Sequence, residues 1–361
     1  MWVVLDTNIY FNQWLLEGAN FRVFRNFCHN TGAKLLLPEI VRQEVQNKYD
    51  GELSQARTEL ERLATKFGKL GVEGLPSSVS GEEYDFGQLV REQYRSVSMV
   101  EYSSVSHDQL VHKALTPKLP FREKEKGYRD ALLWLSILDY VKASDFEGPI
   151  HFINANSKDF YSSKSGNVTL HDDLKEDLHA RGMDTNVIPY VSLSEFVVAH
   201  VLQELHDVDW QEFYSEFNGE LDDNICVETI AWLDERSLTV LREKLVEANY
   251  PSYMMDGVFA ATFEAWEGIE DSDIVTMRKI DEDRYFIEYA FDIRVLEIKL
   301  LSSPTAHTQG YLGAYIDVEV DNDLVTTSFF TRADFKASVV FNITRELVED
   351  IDVTFFKLRS R

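Results

Sequence analysis

The chain is predicted to be an α/β domain with a parallel sheet flanked by helices, followed by an α+β domain with an antiparallel sheet. Three observations carry that expectation. Over the first 200 residues, short apolar runs alternate with stretches of helical period, the grammar of a covered parallel sheet. After about residue 225, apolar residues alternate with polar ones at period two, which suits antiparallel strands with one wet face. Charge shifts at the same place. Residues 1–200 hold 22 Lys+Arg against 28 Asp+Glu, and residues 201–361 hold 14 against 34, within a net charge of −26.

Trp2-Val3-Val4-Leu5 reads as a buried strand ending in Asp6-Thr7-Asn8, with a helical stretch following to about Asn30. Lys34–Pro38 is a second strand. From Glu39 to about Phe67 the spacing of Ile40, Val41, Val45, Tyr49, Leu53, Leu60 and Leu63 is helical. Residues 68–87 read as a loop and 88–115 as further helices. Asp130–Leu138 is almost wholly apolar after its first residue, as in a helix buried on most sides. Pro149–Ile153 is a third strand and Asn186–Pro189 a fourth. Ser192-Leu193-Ser194-Glu195 has the capping-box spacing that opens a helix.

In the second half, Glu228–Asn249 reads as helix. Strands follow at Ile287–Val295, Ile316–Val320, Phe335–Ile343 and Ile351–Phe355. The expected domains are 1–205, with a helical insertion at about 50–125, then a linker at 206–226 and an acidic domain at 227–361.

Composition excludes several classes. No apolar run reaches the roughly 18–20 residues of a membrane span, and Met1–Asn8 lacks the basic start of a signal peptide. Cys28 and Cys226 match no metal or redox spacing, so a reduced, cytoplasmic setting is expected. There is no Gly-rich phosphate loop and no Gly-x-Ser-x-Gly elbow. Asp317, Glu319, Asp321 and Asp323 have calcium-loop spacing but lack its central Gly and terminal Glu, so strand alternation explains them better.

The acidic residues of the first half fall where an open parallel sheet binds ligands, beyond the carboxyl ends of its strands. Asp6 follows the first strand, Glu44 lies about two turns into the helix after the second, Asp130 opens a buried helix, and Asn156 and Asp159 follow the third strand. Singly these are weak signals, because Asp6 or Asp130 could serve a helix start, Glu44 could be a solvated helical residue, and Asn156 and Asp159 could form turns. Together they suggest a carboxylate cluster that needs a compensating cation, Mg²⁺ or Mn²⁺ by donor type.

The pieces Val3–Asn8, Leu37–Val45, Lys126–Leu132 and Phe152–Phe160 resemble, in this order, the PIN-domain nucleases, and within them the larger bacterial group with a long helical insertion. The resemblance implies a metal-dependent endoribonuclease, of a family many of whose members are toxins, RNA-processing enzymes or defence effectors. It implies Asp6, Glu44 and Asp130 as catalytic metal ligands, with the fourth position shared between Asn156 and Asp159. Glu39 competes with Glu44, and Thr7 and Asn8 would orient Asp6 or a bound water. A DNA nuclease with the same site and a non-catalytic binding module are the alternatives.

Lys113, Lys118, Arg122, Lys124, Lys126 and Arg129 cluster before Asp130, with Phe121 and Tyr128 interleaved. They suggest a basic flap for a phosphate backbone with rings for unpaired bases, against a reading as a solvated loop balanced by Glu123 and Glu125. The expected partners are RNA or DNA at this flap and a regulatory protein at the acidic second domain. No membrane is expected, and a homo-oligomer is allowed.

Overall fold

The structure, a computed structural model, describes residues 1–11, 13–71, 84–116, 118–121, 127–164, 167–183, 187–202, 206–207, 210–303, 317–321 and 324–359. It divides into two compact units, Met1–Glu17 with Phe24–Val201, and Gly18–Val23 with Leu202–Arg361. No helix among the described residues is long and apolar enough to cross a membrane.

The first part of the chain runs β1 (Trp2–Leu5), α1 (Thr7–Tyr10), α2 (Ala19–Thr31), β2 (Lys34–Pro38) and α3 (Glu39–Lys69). It continues with α4 (Phe86–Gln93), β3 (Val97–Val100), α5 (His107–Leu115), α6 (Tyr128–Ala143), β4 (Ile150–Ile153) and α7 (Ser157–Phe160). The hairpin β5 (Tyr161–Lys164) and β6 (Asn167–Leu170), then α8 (Asp172–Ala180), β7 (Val187–Tyr190) and α9 (Leu193–Phe196), complete it. The main sheet is parallel, in the order β3-β2-β1-β4-β7. From β1 the chain winds outward through β2 and β3 on one side, then returns to β4 and β7 on the other. The switch point therefore lies between β1 and β4, where such sheets open a crevice at their carboxyl ends.

All four residues of β1 and of β4 are buried, as in strands covered on both faces, His151 of β4 included. Helix α6 is buried along nine of its residues, with Trp134 among the largest side chains wholly removed from solvent. One expectation is corrected here. The segment 88–115 is not all helix, because Val97–Val100 forms the edge strand beside β2. The β5–β6 hairpin, in which the buried Tyr161 and Leu170 pair, gives no apolar run to read.

His151 on β4 is 1% exposed, and neither ring nitrogen has a hydrogen-bond partner among the described residues. Its ring packs against Tyr190, Phe196 and His200. Burial, with His200 beside it, pushes its pKa down to about 4. An unfolded histidine, titrating near 6.5, takes up a proton first, so stability is lost as pH falls from about 6.5 toward 4. We expect His151→Phe to flatten this loss, by on the order of 2 kcal/mol between pH 7 and 5. Denaturant midpoints of the two proteins across that range check it, and parallel curves would refute it.

The second part runs β8 (His206–Asp207), α10 (Trp210–Asp234), α11 (Leu238–Glu247), a 3-10 turn at Ser252–Met255, β9 (Val258–Ala265) and β10 (Glu270–Lys279). The strands β11 (Arg284–Ser302), β12 (Asp317–Asp321), β13 (Leu324–Asn342) and β14 (Leu347–Leu358) follow. Residues 210–226, expected as linker, form the opening turns of α10, which Leu221 and Ile225 anchor in the core of this unit. The sheet is antiparallel around the long strands β11 and β13, paired from Arg284↔Asn342 to Ser302↔Val325. Ile287, Tyr289, Phe291 and Ile293 enter a core shared with Leu233 and Leu241 of the helices.

A register shift between Ile293 and Leu296 then changes the alternation, so Leu296, Ile298 and Leu300 take over as core residues in place of Val295. The face expected to be wet is not uniformly so. Glu288, Asp292 and Glu297 are buried and held by partners: Ser338 donates to Glu288 (2.6 Å), Arg332 pairs with Asp292, and Trp266 donates to Glu297 (2.9 Å). Burial pushes the Glu288 carboxyl up to about 7.

Candidate metal centre

The carboxyl ends of β1 and β4 place Asp6 and Asn154 side by side. The Asp6 amide donates to the Ile153 carbonyl (2.9 Å), so β1 stays paired with β4 to its last residue. Asp6 then stands at the N-cap of α1, but its side chain makes no capping bond. A helix-capping role for Asp6 is therefore not what the structure adopts. Its carboxylate is instead held by the Asn8 amide, which donates to Asp6 Oδ2 (2.8 Å) and Asn154 Oδ1 (2.9 Å). Asn8 Oδ1 in turn accepts from the Ala155 amide (3.0 Å), tying the two strand ends together.

Asp6 is 6% exposed. Burial raises its pKa to about 7, opposed by a backbone hydrogen bond from Thr7, and the Asp130 and Glu44 carboxylates raise it further. Burial is thus the main obstacle to its charge, and the two neighbouring carboxylates add to it. Asp6, Thr7, Asn8, Glu44, Asp130 and Asn156 all line one open cleft of about 930 Å³, with Lys48, Glu52, Gln55, Tyr128 and Arg129 on its walls.

Helix α3 starts at Glu39 directly after Pro38, whose fixed φ suits the extended N-cap. Glu39 and Glu44 are five residues apart, roughly 140° around the helix, so both cannot face one point. Glu44 faces the cleft, whereas Glu39 pairs with Arg42 (2.9 Å) and Gln43 (2.8 Å), and the Arg42 hydrogen bond holds its carboxyl below the usual range. Thr7 was expected to orient Asp6 or a water, but its hydroxyl donates to Glu44 Oε2 (2.7 Å). The other Glu44 oxygen pairs with the Arg129 guanidinium.

Asp130 reaches the cleft from the first turn of α6, whose N-cap is Gly127 at φ 99°. A Cβ there would stand 2.0 Å from the Pro120 carbonyl oxygen, so this turn admits only glycine. Asn156 lines the cleft, and Asp159 does not; its Oδ2 accepts from the Asn156 amide (2.5 Å) and so holds that side chain in place. Of the two, the neutral residue lines the cleft and the charged one stands behind it.

Of the suggested basic flap, Arg122, Lys124 and Lys126 lie outside the described residues. Lys113 is buried in an ion pair with Asp177 (2.5 Å), and Lys118 pairs with Glu176 (2.5 Å). Phe121 is 3% exposed and belongs to the core, so it offers no stacking face, while Tyr128 is 50% exposed on the cleft wall. Arg129 belongs to the cleft rather than to a flap.

Sequence reasoning missed Asn154, which is fully buried and whose Oδ1 also accepts from the Asn156 backbone N–H (2.7 Å). An asparagine directly after a buried strand, mirroring Asp6, was the available signal. It also missed Lys48, one turn beyond Glu44 on the same helix face.

The donors here are all oxygens, from Asp6, Glu44, Asp130 and the Asn156 amide, which suits a hard divalent cation. Among the described residues, no group of three or more Asp, Glu, His or Cys side chains is drawn together closely enough to hold an ion as placed. Glu44 is satisfied by Thr7 and Arg129 instead. Residues 3–160 match the family model for the PIN domain. No curated protein and no solved structure matches the chain. A parallel sheet with carboxylates lining one cleft beyond its strand ends and a family match over the same residues lead to one conclusion: residues 3–160 form a domain of the PIN type, a nuclease-type fold.

Proposed function

We propose that the first unit is a metal-dependent endoribonuclease, with Mg²⁺ or Mn²⁺ held by Asp6, Glu44, Asp130 and Asn156. The observation that carries this reading is the buried Asp6 carboxyl, raised to about 7 in a cleft it shares with two more carboxylates. Such a site favours a cation over three separate negative charges. When bound, the ion supplies Lewis-acid polarisation of a phosphodiester and a water acidic enough to attack at neutral pH.

The protein's own contribution is positional. Asn8 fixes the Asp6 carboxylate, Thr7 fixes that of Glu44, and Asp159 fixes the Asn156 amide. Arg129, 71% exposed at its side chain, is a cation at the cleft that a substrate phosphate can share with Glu44. Tyr128 offers a ring to an unpaired base, which favours single-stranded RNA over a duplex. The charge of the second half, 14 Lys+Arg against 34 Asp+Glu, supports a protein partner there rather than nucleic acid.

Labelled RNA, single-stranded DNA and duplex DNA, each with Mn²⁺ or with chelator, test the reading. Cleavage of RNA that stops on chelation is expected. Preferential cleavage of DNA would move the substrate class, and binding without cleavage would favour a non-catalytic module. A toxin or defence role rests on the resemblance alone. Growth arrest on expression that Asp6→Asn relieves is its expected mark.

The neutral Asn156 gives a further expectation. Asn156→Asp adds a carboxylate to the cleft and should tighten Mn²⁺ binding by roughly tenfold, since affinity at such sites follows ligand charge. Titration calorimetry of the two proteins checks this. Equal affinities would remove Asn156 from the ligand set.

A further inference from the structure

Helix α3 serves two purposes along its length. Its first turns belong to the fold, with Val41 and Val45 wholly buried and Tyr49 stacked on Tyr84. From Gly51 onward almost every residue is exposed, and none is buried. The hydrogen-bonding side chains between Gly51 and Leu70 are Thr58 and Thr65, each bonded to its own helix, and no ion pair is made there among the described residues. Gly51 and Gly68 lie in this stretch, and each costs about 1 kcal/mol of helix stability relative to alanine. A projecting helix of this length and composition is marginal without packing on one face.

That face exists in the sequence. Leu53, Ala56, Leu60, Leu63, Phe67 and Leu70 recur at spacings of three and four, the a and d positions of a coiled coil. Leu63, Phe67 and Leu70 are 44%, 39% and 70% exposed. Flanking the seam, Glu52 and Arg57 occupy a g position and the following e position. In a parallel, in-register pair of copies, each Glu52 meets the other copy's Arg57, twice by symmetry. An antiparallel pair centred on the seam would instead separate Glu52 from Arg57 and set Glu59 against the other copy's Lys66, so the two arrangements are told apart by which charges they join.

We propose that the projecting half of α3 is a dimerisation arm, which pairs with a second copy of this chain as a parallel, two-stranded coiled coil. The seam is short, roughly 27 Å at 1.5 Å per residue, so the dimer is of the weak, concentration-dependent kind. Glu52 and Gln55 also line the cleft, so the seam begins at the rim of the metal centre.

Sedimentation velocity of the full chain over a wide concentration range tests this. A monomer–dimer equilibrium is expected, which Leu63→Glu weakens by roughly tenfold or more. Arg57→Glu and Glu52→Lys should each weaken it, and the two together should restore it. Ala56→Cys should cross-link to its own copy under mild oxidation, whereas Thr58→Cys, on the outer face, should not. A wild-type chain that stays monomeric at every concentration overturns the proposal. So does equal cross-linking at both positions, or a Leu63→Glu protein that dimerises like wild type and differs only in its retention of added RNA.

Discussion

Asp6→Asn is expected to lower cleavage by roughly 10³-fold or more while making the metal-free protein more stable. The two effects share one cause. In the folded protein Asp6 ionises near 7, far above the ordinary range, because burial and the Asp130 and Glu44 carboxylates oppose its charge. A group whose folded pKa is raised contributes stability at low pH, and that contribution is lost as pH rises from about 4 to about 7. Asparagine keeps the size and most hydrogen-bonding capacity of the side chain but carries no charge to lose. At pH 8 without metal, the variant should therefore exceed wild type by on the order of 1–3 kcal/mol, and the difference should vanish below pH 4. Added Mn²⁺ should raise the melting temperature of wild type and barely move that of the variant, since only a state that binds the ion is stabilised by it. A variant less stable than wild type at pH 8 would mean that Asp6 supports the fold rather than straining it. Undiminished cleavage would place the chemistry elsewhere.

Trp134→Ala is expected to destabilise the first unit by about 3–5 kcal/mol, the cost of removing a large aromatic from a close-packed interior. Trp134 lies on α6, one turn after Asp130, and is wholly buried against Phe152 of β4. Its indole N–H also donates to Asp177 Oδ2 (3.0 Å), the oxygen that receives the Lys113 ammonium. Trp134→Phe separates the two contributions. It restores much of the packing but leaves Asp177 one donor short, and should cost about 1–2 kcal/mol. Chemical denaturation of both variants checks the pair. If phenylalanine cost as much as alanine, the hydrogen bond and not the cavity would dominate. Because α6 carries Asp130 into the cleft, the alanine variant should also bind Mn²⁺ more weakly at temperatures where it is still folded.

Much of the fold is legible in the sequence. The largely apolar runs of β1, β2 and β4 announce buried parallel strands, because strands covered on both faces do not alternate. Asp6 and Asn156 sit just past strand ends, so the sheet's topology alone brings them to one edge. The period-two pattern of β11, β13 and β14 likewise points to an antiparallel sheet. Less visible are β3, whose residues are mostly half-exposed, and the β5–β6 hairpin, whose four-residue strands are too short to carry a periodic signal. The buried carboxylates Glu288 and Asp292 are hidden for a different reason. Alternation says which face a residue takes, but partners such as Ser338 and Arg332 are 50 and 40 residues away.

The cleft divides along the same line. By itself the sequence determined which segments supply carboxylates and that they converge beyond the strand ends, since both follow from local patterns and a general rule of sheet topology. Only the tertiary structure decided which side chains face inward. The azimuth of α3 over the sheet turns Glu44 to the cleft and leaves Glu39 to Arg42. The turn into α7 presents Asn156 and keeps Asp159 behind it. Arg129 reaches Glu44 across 85 residues, and Thr7 reaches it across 37. Periodicity fixes the face of a helix relative to itself. Its orientation toward a distant strand is set by packing, and so the sequence places carboxylates beyond the strand ends while the partners of each follow only from the tertiary structure.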